Sequence, residues 1–144
     1  MSDLFDHIAV CIDESEGSRR ALAEARRLRA LGGPGRLTLL HVTGYPLLLG
    51  EDESGATVVD PRDPEVAARR WLAAQAGEGE ETVLLHGAVT PAVVRWAGEA
   101  TPDLLVVGAV RNALQRLMLG SVASALAHEA PCPVLMVRPG ERAA

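Results

Sequence analysis

The sequence predicts a doubly wound α/β domain, a five-stranded parallel sheet with helices on both faces. Three observations predict it. Five short apolar runs, at 7–12, 37–42, 82–86, 104–107 and 134–137, lack the strict alternation of a half-exposed strand, so both faces of each should be buried. Helical patterns stand between the runs, which makes the order strand, helix, strand, repeated along the chain. At 144 residues and 48% hydrophobic, the chain is long enough for one domain with a proper core, and no Pro/Gly/Ser-rich linker divides residues 1–144.

The first run gives way after Asp13 to a helical stretch at 18–31, where Ala21, Leu22, Ala25, Leu28 and Leu31 recur three or four apart and Gly32-Gly33 ends the helix. The second run follows, and then residues 44–62 form one long irregular insert. Loops of that length in compact domains are functional lids or partly disordered, and composition does not choose between them. The second helix opens at Asp63-Pro64-Glu65, an N-cap followed by proline in the first helical position, and runs towards Ala76. After the third run the third helix opens the same way, at Thr90-Pro91, and runs towards Ala100. Gly120-Ser121 opens the fourth helix, which ends near Glu129 ahead of the fifth run. Right-handed crossovers then give the expected strand order 3-2-1-4-5, with the first strand central.

Composition narrows the chemistry. The chain has fourteen Lys+Arg residues and all are Arg, which excludes a Walker-type lysine on a phosphate, a Schiff base and a receiver-domain lysine. A net charge of −5 argues against an extended phosphate-neutralising surface, so nucleic acid is not expected as a partner. The two cysteines, Cys11 in an apolar run and Cys132 between two prolines, suit a reducing compartment and match no metal-ligand spacing. The opening Met1-Ser2-Asp3-Leu4-Phe5-Asp6 is acidic where a secretory signal needs a basic start, and no apolar run reaches about 18 residues. A cytoplasmic protein with no membrane contact is the expectation.

In a doubly wound sheet, ligands sit outside the carboxyl ends of the strands where the order reverses. Three segments converge there: the end of the first strand at Asp13, the end of the second at Val42 and the end of the fourth at Gly108. Asp13 is placed either to accept from a ribose hydroxyl or adenine amine, or simply to cap the first helix. Gly108 offers either a tight turn or close backbone approach to phosphates, and Gly120-Ser121 supplies a helix N-terminus, which attracts anions. Arg111 and Arg116 add charge to the loop between them, Arg116 reading rather as part of a solvated face. Trp71 and Trp96 lie among Ala, Leu and Val in helical stretches, as core or dimer packing does. His41 and His128 read as structural histidines, because no nucleophile stands where either would serve it as a base.

No catalytic constellation emerges. Ser15, Ser18 and Ser121 are explained by capping or phosphate contact, and Gly-x-Ser-x-Gly is absent. Asp13-Glu14 matches the acidic pocket of a response-regulator receiver only in part, since the third strand ends in His86-Gly87 rather than an acceptor Asp. Neither a Ser-Gly-Gly loop nor a His-x-Gly-His motif is present to drive chemistry on phosphates. The expectation is a protein that is not an enzyme, with at most weak ATP hydrolysis.

These residues resemble the universal stress protein family across nearly the whole chain. The matching landmarks are Ile8-Ala9-Val10-Cys11-Ile12-Asp13, Ser18-Arg19-Arg20-Ala21-Leu22, Leu39-Leu40-His41-Val42 and Pro102-Asp103-Leu104-Leu105-Val106-Val107-Gly108. The strongest is Leu119-Gly120-Ser121-Val122-Ala123 followed by His128-Glu129-Ala130-Pro131-Cys132-Pro133-Val134-Leu135-Met136-Val137-Arg138. The resemblance implies an adenine nucleotide, ATP or AMP, as a regulatory ligand. It would place Asp13 and the main chain of Val42 on adenine and ribose, and Gly108, Gly120, Ser121 and the Val122 N–H at the phosphates, where the charge of Arg111 in the intervening loop makes it a further candidate for nucleotide contact. ATP-binding members carry Gly, two residues, Gly, nine residues, then Gly and Ser or Thr. This chain supplies Gly108 and Gly120-Ser121, lacks the middle Gly, is one residue short, and has Val110 where a side chain would crowd the phosphates. The alternative is a dimer of the same fold that binds no ATP and acts through protein partners. The resemblance also implies a homodimer through antiparallel pairing of Val134, Leu135, Met136 and Val137, a short apolar edge strand with no lysine or bulge to blunt it.

Overall fold

A computed structural model describes residues 5–33, 35–44, 49–51, 53–59, 63–110 and 120–139. The described elements run β1 (His7–Cys11), α1 (Glu16–Gly32), β2 (Arg36–Thr43), β3 (Leu49–Glu51), β4 (Thr57–Val59), α2 (Pro64–Gln75), β5 (Glu81–His86), α3 (Val89–Ala100), β6 (Leu104–Gly108), α4 (Ser121–Glu129) and β7 (Val134–Val137). Five strands form one parallel sheet in the order β5-β2-β1-β6-β7, which is the expected 3-2-1-4-5 with β1 at the centre.

The apolar runs read as strands because side chains from both pleat faces are buried. Ile8, Val10, Leu37, Leu39 and Val106 pack with Ala21, Leu22 and Ala25 of α1 and Leu72 of α2. Ala9, Leu40, Leu105 and Val107 pack on the opposite face with Val93 of α3 and Ala123 and Leu126 of α4. Trp71 lies against the first cluster and Trp96 against the second, so both tryptophans are core packing. Among the described residues no helix is long and apolar enough to cross a membrane.

Four expectations need correction. Residues 44–62 are not wholly irregular: β3 and β4 pair antiparallel as a separate hairpin, with Gly55 at φ 83° in the turn and β-branched Thr57, Val58 and Val59 in the return strand. α3 begins at Val89 rather than at a Thr90 cap, since Gly87, at φ 103°, turns the chain out of β5 early and the cap position falls to Ala88. α1 begins at Glu16, two residues before the expected 18, because Ser15 is its cap. Leu31 is not a core residue but 76% exposed. At roughly 100° per residue it lies about 100° off the stripe centred on Ala21 and Ala25.

The N-terminal edge of the sheet carries a titrating network. His7, buried, shares Nε2 with Thr38 Oγ1 at 2.8 Å, and the Thr38 hydroxyl reaches Glu81 Oε2 at 3.2 Å. Arg36 holds the Glu81 carboxylate through two bonds of 2.9 and 2.8 Å. A carboxylate only accepts, so Thr38 donates to Glu81 and the His7 Nε2–H donates to Thr38. Burial, helped by Arg36, pushes His7 below its usual 6.5, while Glu81 and Asp103 pull it up. The folded state therefore favours neutral His7, and the unfolded chain takes up the proton first as the pH falls. Stability from this site is full above 6.5 and is lost as the pH falls through the lowered folded value. Melting curves between pH 7.5 and about 5 should show this loss, and His7→Gln, which keeps the donor without the titration, should flatten it. An unchanged slope in that variant would exclude His7 as its source.

Candidate functional site

The carboxyl ends of the strands open a cleft at the point where the sheet order reverses, between β1 leading to α1 and β6 leading towards α4. Its volume is about 440 Å³. On one wall the chain leaves β1 and turns at Asp13, whose Oδ1 accepts from the Ser15 N–H at 2.7 Å and the Ser18 hydroxyl at 2.8 Å. The Asp13 N–H donates in turn to Ser18 Oγ at 2.8 Å, and Ser15, the N-cap of α1, accepts from the Ser18 N–H at 3.2 Å. Asp13 thus braces the first turn of α1 while its residue lines the cleft. Of the two alternatives read from sequence, the capping of α1 falls to Ser15 rather than to Asp13, whose carboxylate holds the capped turn in place.

The opposite wall is the start of α4. Gly120 caps the helix with extended backbone and no side-chain bond, and the first helical bond runs from the Ser124 N–H to the Gly120 C=O at 3.0 Å. The N–H groups of Ser121, Val122 and Ala123 therefore have no intrahelical acceptor, and all three residues line the cleft. Aligned peptide dipoles make this end partly positive, so the wall favours an anion. The Gly120 N–H donates to the Ala109 C=O at 2.8 Å, which ties the helix start to the end of β6.

Gly108 is glycine for a reason the sequence did not reveal. A Cβ there would stand 2.8 Å from the Gly17 carbonyl oxygen and 2.9 Å from its carbon, so the close approach is that of α1 to β6. Beyond Gly108, Val110 is 3% exposed and lines the cleft.

Of the residues singled out in the sequence, the structure brings Asp13, Val42, Gly108, Gly120, Ser121 and Val122 together on this cleft; Arg111 and Arg116 lie outside the described residues. Sequence reasoning missed Val89, which arrives because α3 starts earlier than expected, and it gave His41 a structural role alone. His41 lines the cleft, donates from Nδ1 to the Ile12 C=O at 2.8 Å, and lies 4.8 Å from the Trp71 ring at 55°. His128 is exposed in the last turn of α4. Cys11 also faces the cleft, where burial, with a smaller push from Cys132, raises its thiol to about 12. Among the described residues no three His, Cys, Asp or Glu side chains are grouped to hold a metal ion.

Comparison with known proteins matches residues 4–138 to the universal stress protein family. The chain belongs to that family. The universal stress protein in the QAH/OAS sulfhydrylase 3′ region of Thermus aquaticus is 33% identical over 140 residues, spanning 94% of this chain and 100% of its own. Universal stress protein YxiE of Bacillus subtilis is 30% identical over 149 residues, with the same two coverages of 94% and 100%. A crystal structure of a universal stress protein in complex with cAMP is 28% identical, with a TM-score of 0.60 over 93% of this chain and 97% of that one. The parallel sheet with β1 at its centre is thus the universal stress protein fold, and the cleft stands at its switch point.

Proposed function

We propose that this universal stress protein binds an adenine nucleotide in the cleft as a regulatory ligand. The observation that carries the reading is the pairing of two unlike walls across one cavity: the start of α4, where three N–H groups have no acceptor within the helix and suit a phosphate, with Asp13 and the end of β2, suited to a nucleoside. A relative 28% identical is known in complex with cAMP, which supports the ligand class. The buried Val110 side chain fills space beside the phosphate wall, which favours one phosphate over three. AMP and cAMP should accordingly bind more tightly than ATP.

Regulation rather than turnover is supported by the lining itself. The Cys11 thiol is held protonated, and Asp13 Oδ1 already serves Ser15 and Ser18, so neither is set up as a nucleophile or a base. The cytoplasm suits two unpaired cysteines. We assign the outer edge of β7 to a second copy of the chain.

Titration calorimetry with AMP, cAMP and ATP tests the ligand, and Asp13→Ala tests the site. A hydrogen bond to a charged group is worth about 1.5–3 kcal/mol, so the variant should bind roughly 10- to 100-fold more weakly. Unaltered affinity in Asp13→Ala would remove Asp13 from the site. Flat titrations of the native chain with all three nucleotides would instead favour a nucleotide-free dimer that acts through protein contacts.

A further inference from the structure

The end of the β1–β2 ladder contains an exchange of partners. In a parallel ladder, residues of one parity on a strand turn both their N–H and C=O towards the same neighbour. The last β1–β2 pair is Cys11 with Leu40, and the Ile12 N–H donates to the Leu40 C=O at 2.8 Å, so Leu40 faces β1. Val42, two residues on, faces the same way, while Thr43 accepts from the Gly87 N–H on the β5 side at 3.0 Å. The next bond of the ladder would run from the Val42 N–H to the Ile12 C=O. Among the described residues that bond is not made: the Ile12 carbonyl takes the His41 Nδ1–H instead.

A carbonyl only accepts, so the proton is on Nδ1, and the imidazole holds this bond as a neutral ring or a charged one. Trp71 of α2, tilted against the ring at 4.8 Å, limits its rotation. The chain itself turns into α1 at Asp13, so no strand continues beside Val42 on that side.

We propose that His41 is a positioning residue for the base: by taking the Ile12 carbonyl it keeps the Val42 N–H out of the ladder. Val42 then presents a donor and an acceptor together to the cleft. An adenine edge, with its amino donor beside a ring-nitrogen acceptor, matches that pair, whereas a ring with a carbonyl and an N–H at those places presents it in reverse. This rests on the adenine-nucleotide reading, which it makes specific for the base.

The first test needs no ligand. Amide hydrogen exchange, followed by NMR on the native chain, should find the Val42 amide exchanging far faster than that of Leu40. In His41→Leu the Ile12 carbonyl is released, the ladder closes by one bond, and Val42 should become protected by about tenfold or more. In His41→Asn, whose side-chain amide stands where Nδ1 does, fast exchange should persist. AMP affinity should follow the same order, falling about tenfold in His41→Leu and recovering in His41→Asn, with N6,N6-dimethyl-AMP bound poorly by the native chain. A Val42 amide as protected as Leu40 in the native chain, or unchanged in His41→Leu, overturns the role of His41. A fast Val42 amide in a protein that ignores AMP overturns the nucleotide reading instead, and leaves the hold of His41 on the edge standing.

Discussion

Gly108→Ala is expected to lower the melting temperature by about 10 °C, a loss near 3 kcal/mol for a chain of this size. The added Cβ would stand 2.8 and 2.9 Å from the carbonyl oxygen and carbon of Gly17, and both are backbone atoms of a helix packed on the sheet. Neither side can yield by changing a rotamer, so the first turn of α1 must lift away from β6. That turn holds Asp13 through Ser15 and Ser18, so nucleotide affinity should fall with stability. Gly98→Ala is the contrast. Gly98 is exposed within α3 and a Cβ there meets nothing within 4 Å, so alanine should stabilise by about 0.5–1 kcal/mol through helix propensity. Thermal melts of the two variants, with AMP titrations of the first, check both signs. A Gly108→Ala protein that melts with the native chain would mean that α1 does not pack on β6 this closely.

Met136→Pro should convert a dimer to a monomer without unfolding the chain. β7 lies at the edge of the sheet, paired with β6 on one side. Leu105 donates to the Pro133 C=O and Ala109 to the Val137 C=O, so the odd-numbered residues of β7 turn inward and Val134 and Met136 turn their N–H and C=O outward. The proposed antiparallel pairing with a second copy would use those outward groups. Proline at 136 removes an N–H that faces away from β6 and makes no bond among the described residues, and edge strands tolerate proline in that orientation. Light scattering should give about twice the 15.2 kDa chain mass for the native protein and the single-chain mass for the variant. A native chain that is monomeric at high concentration, or a Met136→Pro chain that stays dimeric, would remove β7 from the interface.

The parallel sheet was legible because burial on both faces writes a continuous apolar run, as in Leu104-Leu105-Val106-Val107, and because Asp63-Pro64 and Gly120-Ser121 mark helix starts locally. The hairpin at Leu49–Glu51 and Thr57–Val59 was not legible, since three-residue strands fall below the length at which periodicity distinguishes strand from loop. Thr90 misled in the same way: a capping residue in sequence does not cap when Gly87 has already turned the chain.

Asp13, Val42, Gly108 and Gly120-Ser121 could be named from the sequence pattern because each ends a strand or starts a helix, and a doubly wound order sends such ends to one crevice, whereas Val122 was named through the family resemblance. What each contributes was decided by contacts between residues far apart in the chain. The need for glycine at 108 comes from Gly17, the open edge at Val42 from the bond between His41 and Ile12, and the brace on Asp13 from Ser18. Local pattern reports burial and the turn of the backbone, which depend on neighbours in sequence. Hydrogen-bond partners and ångström-scale approaches depend on neighbours in space, and only the packed structure sets them.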